Sequence, residues 1–450
     1  MRFSELDGAA VGVWGAGREV AAFAEQLTRR LPSAAIAVAA FDGPPAAREL
    51  EQLRSPAARI VAAADAAEAM SACDVVVRSP GVPARRAELA ELRAAGVPVT
   101  TATALWLAEH GSAGVLGITG TKGKSTTAAL ACRLAIAAGR GARLAGNIGV
   151  PAIDLLDGEE AELVVLELSS YQIADLEQGP EVALVTNIYR EHTDWHGSEQ
   201  AYRADKLRLL ELPGVRAAVL NARDGDLAAL TPPVPVTTFA DPGGWDVAAD
   251  GGVALAGHPM LAAAELPLRG EHNALNLCAA LAALQALGVE TPPLGPALDD
   301  FAPLPHRLAL VLDGAASWFD DSISTTPESS VAALASFPGR ELVLIAGGQD
   351  RGQDHAPLVR ALAAGGAALI GVPSTGSRLV AEALAAGIEP ARAREAPDLA
   401  AAVELAAALA PAGGVVLLSP AAPSYDRYRD FEQRGELFCE LVRRAAAAQD

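Results

Sequence analysis

From end to end the chain alternates short apolar runs with helical segments, and no other feature restricts its fold as much. Ala9–Trp14, Ala34–Phe41 and Asp74–Arg78 read as strands, with helices over Arg18–Arg30 and Arg85–Ala95 between or after them. Val115–Thr119, Leu163–Leu168, Val182–Asn187 and Ala217–Leu220 continue the pattern, with helices over Ser125–Ala138, Glu199–Leu210 and His272–Ala286. Leu342–Ala346, Ala368–Val372 and Val415–Ser419 repeat it between alanine-rich helices. Runs this apolar are buried on both faces, and strands separated by helices pair in parallel. The expected fold class is therefore α/β: a Rossmann-like N-terminal domain over residues 1–110, a central domain over 111–304 and a Rossmann-like C-terminal domain over 305–450. A length of 450 residues suits three domains of about 150 each. The Pro- and Gly-rich stretch Pro232–Pro267 reads as a peripheral insertion with short β-like pieces, and Thr291–Pro305 as a linker.

Charge narrows the partners. Fifty-five acidic against 35 basic residues give a net charge of −20, which argues against a nucleic-acid-binding surface or an anionic membrane. The longest uncharged run, Leu405–Tyr425, is broken by Pro411, Gly413, Gly414 and Pro420 and is not a membrane span. The opening segment MRFSELDGAAVGVW has no signal-peptide core. Cys73, Cys132, Cys278 and Cys439 lie far apart with no CxxC pair, so a disulfide framework or zinc knuckle is not expected and a reducing cytoplasm is.

The strongest chemical signal is Gly117-Ile-Thr-Gly-Thr-Lys-Gly-Lys-Ser-Thr-Thr127, between a strand and a helix. Backbone N–H groups of Gly120, Thr121, Lys122, Gly123 and Thr126 can wrap phosphates there, Lys124 can reach the terminal phosphates and Ser125 can ligate Mg²⁺. The central domain is thus a P-loop ATPase domain by expectation. It is a tighter TGTxGKS form, since the first glycine of a standard Walker A falls on Ile118. A weaker Gly15-Ala-Gly17-Arg18 turn follows the first strand and reads as a phosphate-binding turn or a plain tight turn.

Further candidates sit past strand ends, where ligands bind in open α/β sheets. Glu167 ends an apolar strand and reads as a Mg²⁺ ligand, with a helix cap or ion-pair acid as the bland alternative; Ser169, Ser170 and Gln172 follow it. His192 lies in the loop Asn187–Gly197, rich in metal-competent side chains. Lys206 reads from its helix alone as an ordinary exposed lysine. His272, Asn273 and Asn276 share a helix face that can read an adenine edge, with capping by Asn273 as the rival. In the C-terminal part, Asp320–Pro327, Gly347–Arg351 and Ser419–Asp426 each follow a strand, and three such loops can line one crevice.

The motif order TGTKGKSTT, GNIG, ELSSYQ, NIYREH, YRADK, GEHNALN, LPHR, DDS and LLSPAAPSYD…FEQRG resembles the Mur ligase family over almost all of residues 9–435. The resemblance implies a UDP-sugar domain, an ATP domain and an amino-acid domain. It implies that Lys124 meets the β/γ-phosphates, that Ser125 and Glu167 hold one Mg²⁺, and that His192 and a carbamylated Lys206 support a second. It assigns Asn273, Arg307 and Asp321 to ATP. Gly15, Gly17, Arg18, Ser79, Pro80 and Gly81 go to the uridine nucleotide, and Asn147 and Ser169 to the substrate. Ser424, Phe431 and the Arg351 position go to the amino acid. ELSSYQ and the C-terminal tail look like members that add glutamate to UDP-N-acetylmuramoyl-L-alanine. Members that add D-glutamate carry a DSK-type motif where this chain has Asp321-Ser322-Ile323, and a lysine where it has Arg351. DWHGSE, DSISTTP and the DRG segment look like the variant members that add L-glutamate, in company with a separate epimerase. The implied chemistry is an ATP- and Mg²⁺-dependent ligation by a monomer, with D-glutamate addition as runner-up. More distant alternatives are another Mur or folylpolyglutamate-type ligase, a P-loop switch ATPase or a non-catalytic nucleotide sensor.

Overall fold

The computed structural model describes residues 1–45, 47–158, 161–189, 198–268, 270–299, 301–302, 305–350 and 353–447. Contacts divide the chain into two compact units, Met1–Ala302 and Pro303–Asp450. The first unit carries two sheets and the second carries one, and all three are α/β as expected.

The first sheet holds β1 (Ala10–Trp14), β2 (Ala35–Phe41), β3 (Arg59–Ala62), β4 (Val75–Arg78) and β5 (Val99–Thr100) in the order β3-β2-β1-β4-β5, all parallel. The order reverses between β1 and β4. The loops leaving these two strands therefore diverge and open the crevice in which doubly wound sheets hold ligands.

The second sheet holds β6 (Val115–Thr119), β7 (Ala142–Gly146), β8 (Leu163–Glu167), β9 (Val182–Val185), β10 (Ala217–Asn221), β11 (Val236–Phe239), β12 (Trp245–Val247), β13 (Val253–Leu255) and β14 (His258–Leu261). Their order is β14-β13-β12-β11-β10-β9-β6-β8-β7. β6 lies between β8 and β9, parallel to both, and every one of its residues is buried. The helix after it, Lys124–Ala137, packs on the helix Glu271–Ala286. Both are apolar on most faces because each lies between the sheet and another layer. The Pro232–Pro267 stretch holds short strands as expected: β11 to β14 extend this sheet at its edge, ending in antiparallel pairs. The linker expectation is corrected in part. Leu294–Leu298 is a helix with Leu294, Ala297 and Leu298 buried, and Arg133 donates to the Ala297 carbonyl at 2.7 Å. Three apolar residues at one-turn spacing outweigh the flanking prolines there.

The second unit holds β15 (Ala309–Asp313), β16 (Ser317–Asp320), β17 (Leu342–Ala346), β18 (Ala368–Gly371), β19 (Ala393–Glu395) and β20 (Val415–Leu418) in the order β15-β16-β20-β17-β18-β19. Only the β15–β16 hairpin is antiparallel. β16, β20 and β17 are neighbours, so the three loops expected to line one crevice leave adjacent strands. Among the described residues no helix is long and apolar enough to cross a membrane.

Candidate active site

The P-loop is held from three sides. Gly123 caps the following helix in the left-handed region at φ +82°, and a Cβ there would stand 2.3 Å from Asn276 Oδ1. Only glycine satisfies both conditions. Asn187, just past β9, accepts from the Lys122 N–H at 2.8 Å through Oδ1 and donates to the Lys122 carbonyl at 3.0 Å. The Thr121 hydroxyl lies 2.9 Å from the Tyr202 hydroxyl and accepts from the Tyr189 N–H at 2.9 Å. Lys124 Nζ donates to the Thr121 carbonyl at 2.9 Å, folded over the loop it starts from.

Lys206 corrects the exposed-lysine reading, being only 2% exposed. Its helix, Glu199–Leu207, turns it toward the P-loop, where Nζ donates to the Gly120 carbonyl at 2.7 Å and lies 5.0 Å from the Tyr202 ring. A helix pattern alone does not reveal this, because the face that buries Lys206 is packed by residues far away in sequence. Asp205, beside it, takes both guanidinium nitrogens of Arg85 at 2.6 and 2.7 Å.

Glu167 ends β8 in register with Ile118, just before the P-loop, and is 1% exposed. Asn147 donates to Oε1 at 2.9 Å, while Oε2 is buried without a hydrogen-bond partner. A bare buried carboxylate oxygen is costly unless a ligand answers it. The capping alternative for Glu167 fails, since Ser169 caps the next helix, Ser170–Ile173. The Ser169 hydroxyl is accordingly engaged with Gln172. Asn273 is not a cap either: Gly270 holds that position, and Asn273 Oδ1 accepts from Asn276 Nδ2 at 3.3 Å. A cleft of about 770 Å³ opens beside Gly270 and Glu271, and Arg223 on its wall pairs with Glu271 and Asp246, each at 2.7 Å.

At the first sheet's switch point the structure gathers Gly15, Gly17, Ser79, Pro80 and Gly81. Ser79 N–H donates to the Trp14 carbonyl at 2.8 Å, and a Cβ on Gly17 would stand 2.8 Å from Ser79 Oγ. Arg18 donates to the Asn147 carbonyl at 2.8 Å, linking this turn to the Glu167 neighbourhood.

In the second unit, Asp321 lies past β16, and Ser419, past β20, donates to its Oδ2 at 2.8 Å. Burial raises the Asp321 carboxyl from 3.8 to about 6, against hydrogen bonds from Ser324 and Ser419 and the Arg307 charge. Arg307 is flanked by His306 and Leu308, both at positive φ. Asp320 Oδ2 pins His306 at 2.6 Å and raises its imidazole pKa, while the Leu308 N–H donates to Asp321 Oδ1 at 3.2 Å. Ser322 Oγ donates to the Phe431 carbonyl at 2.8 Å, and buried Arg434 donates to Ser322 and to the Ala422 carbonyl. Ser424 is buried in the same loop system. His192 and Arg351 lie outside the described residues. Among the described residues no group of three or more His, Cys, Asp or Glu forms a metal cluster. Asn187, Tyr202, Arg78 and Arg434 were not singled out from sequence. The one signal for Arg78 was a charge closing an otherwise apolar strand.

Residues 118–284 match the family model of the Mur ligase middle domain, and 306–422 that of the Mur ligase glutamate ligase domain. A UDP-N-acetylmuramoyl-L-alanine–L-glutamate ligase of a Micromonospora species is 44% identical, covering 99% of each chain. Ligases of the same name from Salinispora tropica and Xanthomonas euvesicatoria are 43% and 42% identical, covering 99% and 98% of this chain and 100% and 97% of theirs. In fold the chain is similar to a UDP-N-acetylmuramate–alanine ligase of Thermotoga maritima, with a TM-score of 0.60, 18% identity and coverage of 97% and 100%. It is likewise similar to the MurF ligase of that organism in complex with ADP, with a TM-score of 0.57, 16% identity and coverage of 99% and 97%. The chain belongs to the Mur ligase family, and it is an enzyme.

Proposed function

We propose that this Mur ligase joins the amine of L-glutamate to UDP-N-acetylmuramoyl-L-alanine with cleavage of ATP to ADP and phosphate, making a peptidoglycan precursor. The observation that carries the reading is the match along 99% of the chain to relatives bearing that name. The P-loop and the bare oxygen of Glu167 are its chemical counterpart.

In this reading residues 1–110 bind the UDP-sugar, 111–304 bind ATP and 305–450 bind the amino acid. Ser125 and Glu167 would hold one Mg²⁺, and His192 with a carbamylated Lys206 a second. Bound there, the cations offset the charge of the triphosphate. A carboxylate oxygen of the substrate's alanine attacks the γ-phosphorus, the bond to the ADP oxygen breaks, and an acyl phosphate and ADP result. Lys124 balances charge on the β- and γ-phosphates through this step. The glutamate nitrogen then attacks the acyl carbon, a proton leaves the amine, and the carbon–oxygen bond to phosphate breaks. Asn273, Arg307 and Asp321 orient ATP. Gly15, Gly17, Arg18, Ser79, Pro80 and Gly81 seat the uridine nucleotide. Ser424, Phe431 and Arg351 face glutamate.

Ile323 and Arg351, where D-glutamate-adding members carry lysines, support the L-enantiomer. The enzyme then acts as a cytoplasmic monomer, and a separate epimerase inverts the product's terminal residue. The test supplies UDP-N-acetylmuramoyl-L-alanine, ATP and Mg²⁺ with L- or D-glutamate and measures phosphate release. L-dependent release is expected. Equal or D-favoured release overturns the stereochemistry, and release with neither overturns the ligase reading.

A further inference from the structure

Arg78 closes a strand of valines, and its side chain is fully buried. A buried guanidinium costs several kcal/mol unless its charge and donors are answered. Here the answer comes from two separate segments. Nη1 donates to the carbonyls of Ser79 at 3.1 Å, Pro80 at 3.3 Å and Val82 at 2.7 Å, all in the loop that leaves β4 at the switch point. Nε pairs with Asp175, and Nη2 donates to the Tyr171 carbonyl at 2.8 Å, both in the segment that follows Glu167. Arg93 adds a second cation to Asp175 at 3.2 Å. A parallel seam runs beside it: Thr103 donates to Glu19 at 3.0 Å, and Gln172 donates to Glu19. Glu19 neighbours Arg18, and Gln172 lies in the helix that Ser169 caps.

We propose that Arg78 is a positioning residue that sets the Ser79–Val82 loop in the shape receiving the uridine nucleotide and ties that loop to the Glu167 segment. This rests on the reading of the enzyme as a UDP-sugar ligase. A rigid fork bonded to three carbonyls of one short loop fixes that loop's backbone path, together with the bonds from Ser79 N–H to the Trp14 carbonyl and from Val82 N–H to the Ser79 carbonyl, both within the strand-end turn. That path sets where the Ser79 hydroxyl points, and in this reading the hydroxyl is what a diphosphate or a uracil edge meets. Because the same fork ends on Asp175 and Tyr171, ordering of the loop also orders the chain just past Glu167. Lysine keeps the charge but has three donors without the planar fork, so it cannot serve all these acceptors.

The experiment titrates UDP-N-acetylmuramoyl-L-alanine into wild type, Arg78→Lys and Asp175→Asn by calorimetry without ATP, and ATP without the UDP-sugar. Melting temperatures are recorded alongside. The expected result is a UDP-sugar Kd raised about tenfold in Arg78→Lys and a few-fold in Asp175→Asn, with ATP affinity unchanged. A role confined to stability would lower melting temperatures and leave the UDP-sugar Kd at the wild-type value, which overturns the proposal. Hydrogen exchange on the wild-type chain gives a reading that needs no variant. The UDP-sugar alone is expected to slow exchange at Tyr171–Asp175, and no change there overturns the coupling even if Arg78→Lys does not fold. A wild-type chain that binds no UDP-sugar overturns the ligase reading and the clamp with it, an outcome distinct from unaltered binding in the variants.

Discussion

Asp321→Asn separates two consequences of one buried carboxyl. The lift from 3.8 to about 6 is caused chiefly by burial. At about 1.36 kcal/mol per pH unit it is worth roughly 3 kcal/mol. The folded pKa lies above the unfolded one, so folding favours the protonated form. Stability from this group is complete below pH 3.8, falls as pH rises through about 6, and is flat above. The amide variant is nearly isosteric, still accepts from the Leu308 N–H, and has no proton to lose. Its stability relative to wild type should therefore rise between about pH 4 and pH 7, by up to roughly 3 kcal/mol. His306, its pKa raised chiefly by its hydrogen bond to Asp320, also loses stabilisation as pH rises, but it does so in both proteins and cancels in the difference. The assay is urea unfolding of the full chain at several pH values, followed by hydrogen exchange in β16, β17 and β20. A difference that stays constant across that range, or that turns against the variant at high pH, refutes the argument. The latter would mean that the Arg307 charge outweighs burial.

Further outcomes are expected around the P-loop. Glu167→Gln should cut turnover about a hundredfold or more and weaken its dependence on Mg²⁺, seen as ADP release against cation concentration, while UDP-sugar binding is retained. Gly123→Ala places a Cβ against Asn276 at positive φ and should cost about 1–2 kcal/mol in stability, with a higher KM for ATP. Lys206→Met leaves the buried Gly120 carbonyl without its lysine donor and should cost about 1–3 kcal/mol by urea titration, with a turnover loss beyond what unfolding explains.

Legibility in the sequence followed the range of the interactions. The strand before the P-loop, the helix after it, and Glu167 at a strand end rest on local patterns, and the structure places them as those patterns require. The adjacency of the loops after β16, β17 and β20 also emerged, because strand-end loops of a parallel sheet share an edge. Burial of Lys206 did not, since it depends on a loop 86 positions away. Arg78 escaped for the same reason, with Asp175 97 positions off. The strands β3, β7 and β19 each carry an arginine (Arg59, Arg143 and Arg394) that breaks the apolar run by which the other strands were read. The helix Leu294–Leu298 was hidden among prolines that punctuate it without abolishing it.

The uneven treatment of the two Glu167 oxygens has a consequence for ion choice. Asn147 ties down one of them, so the carboxylate offers a cation a single free oxygen at a fixed angle. Large, loosely coordinated ions gain from gripping both oxygens of a carboxylate, whereas a small octahedral ion takes one and keeps its waters. In the proposed reading, in which Glu167 would hold Mg²⁺, Asn147 would act as a size filter: calcium should bind poorly at this edge and support little turnover, manganese should replace magnesium, and loosening the amide should narrow the gap between them.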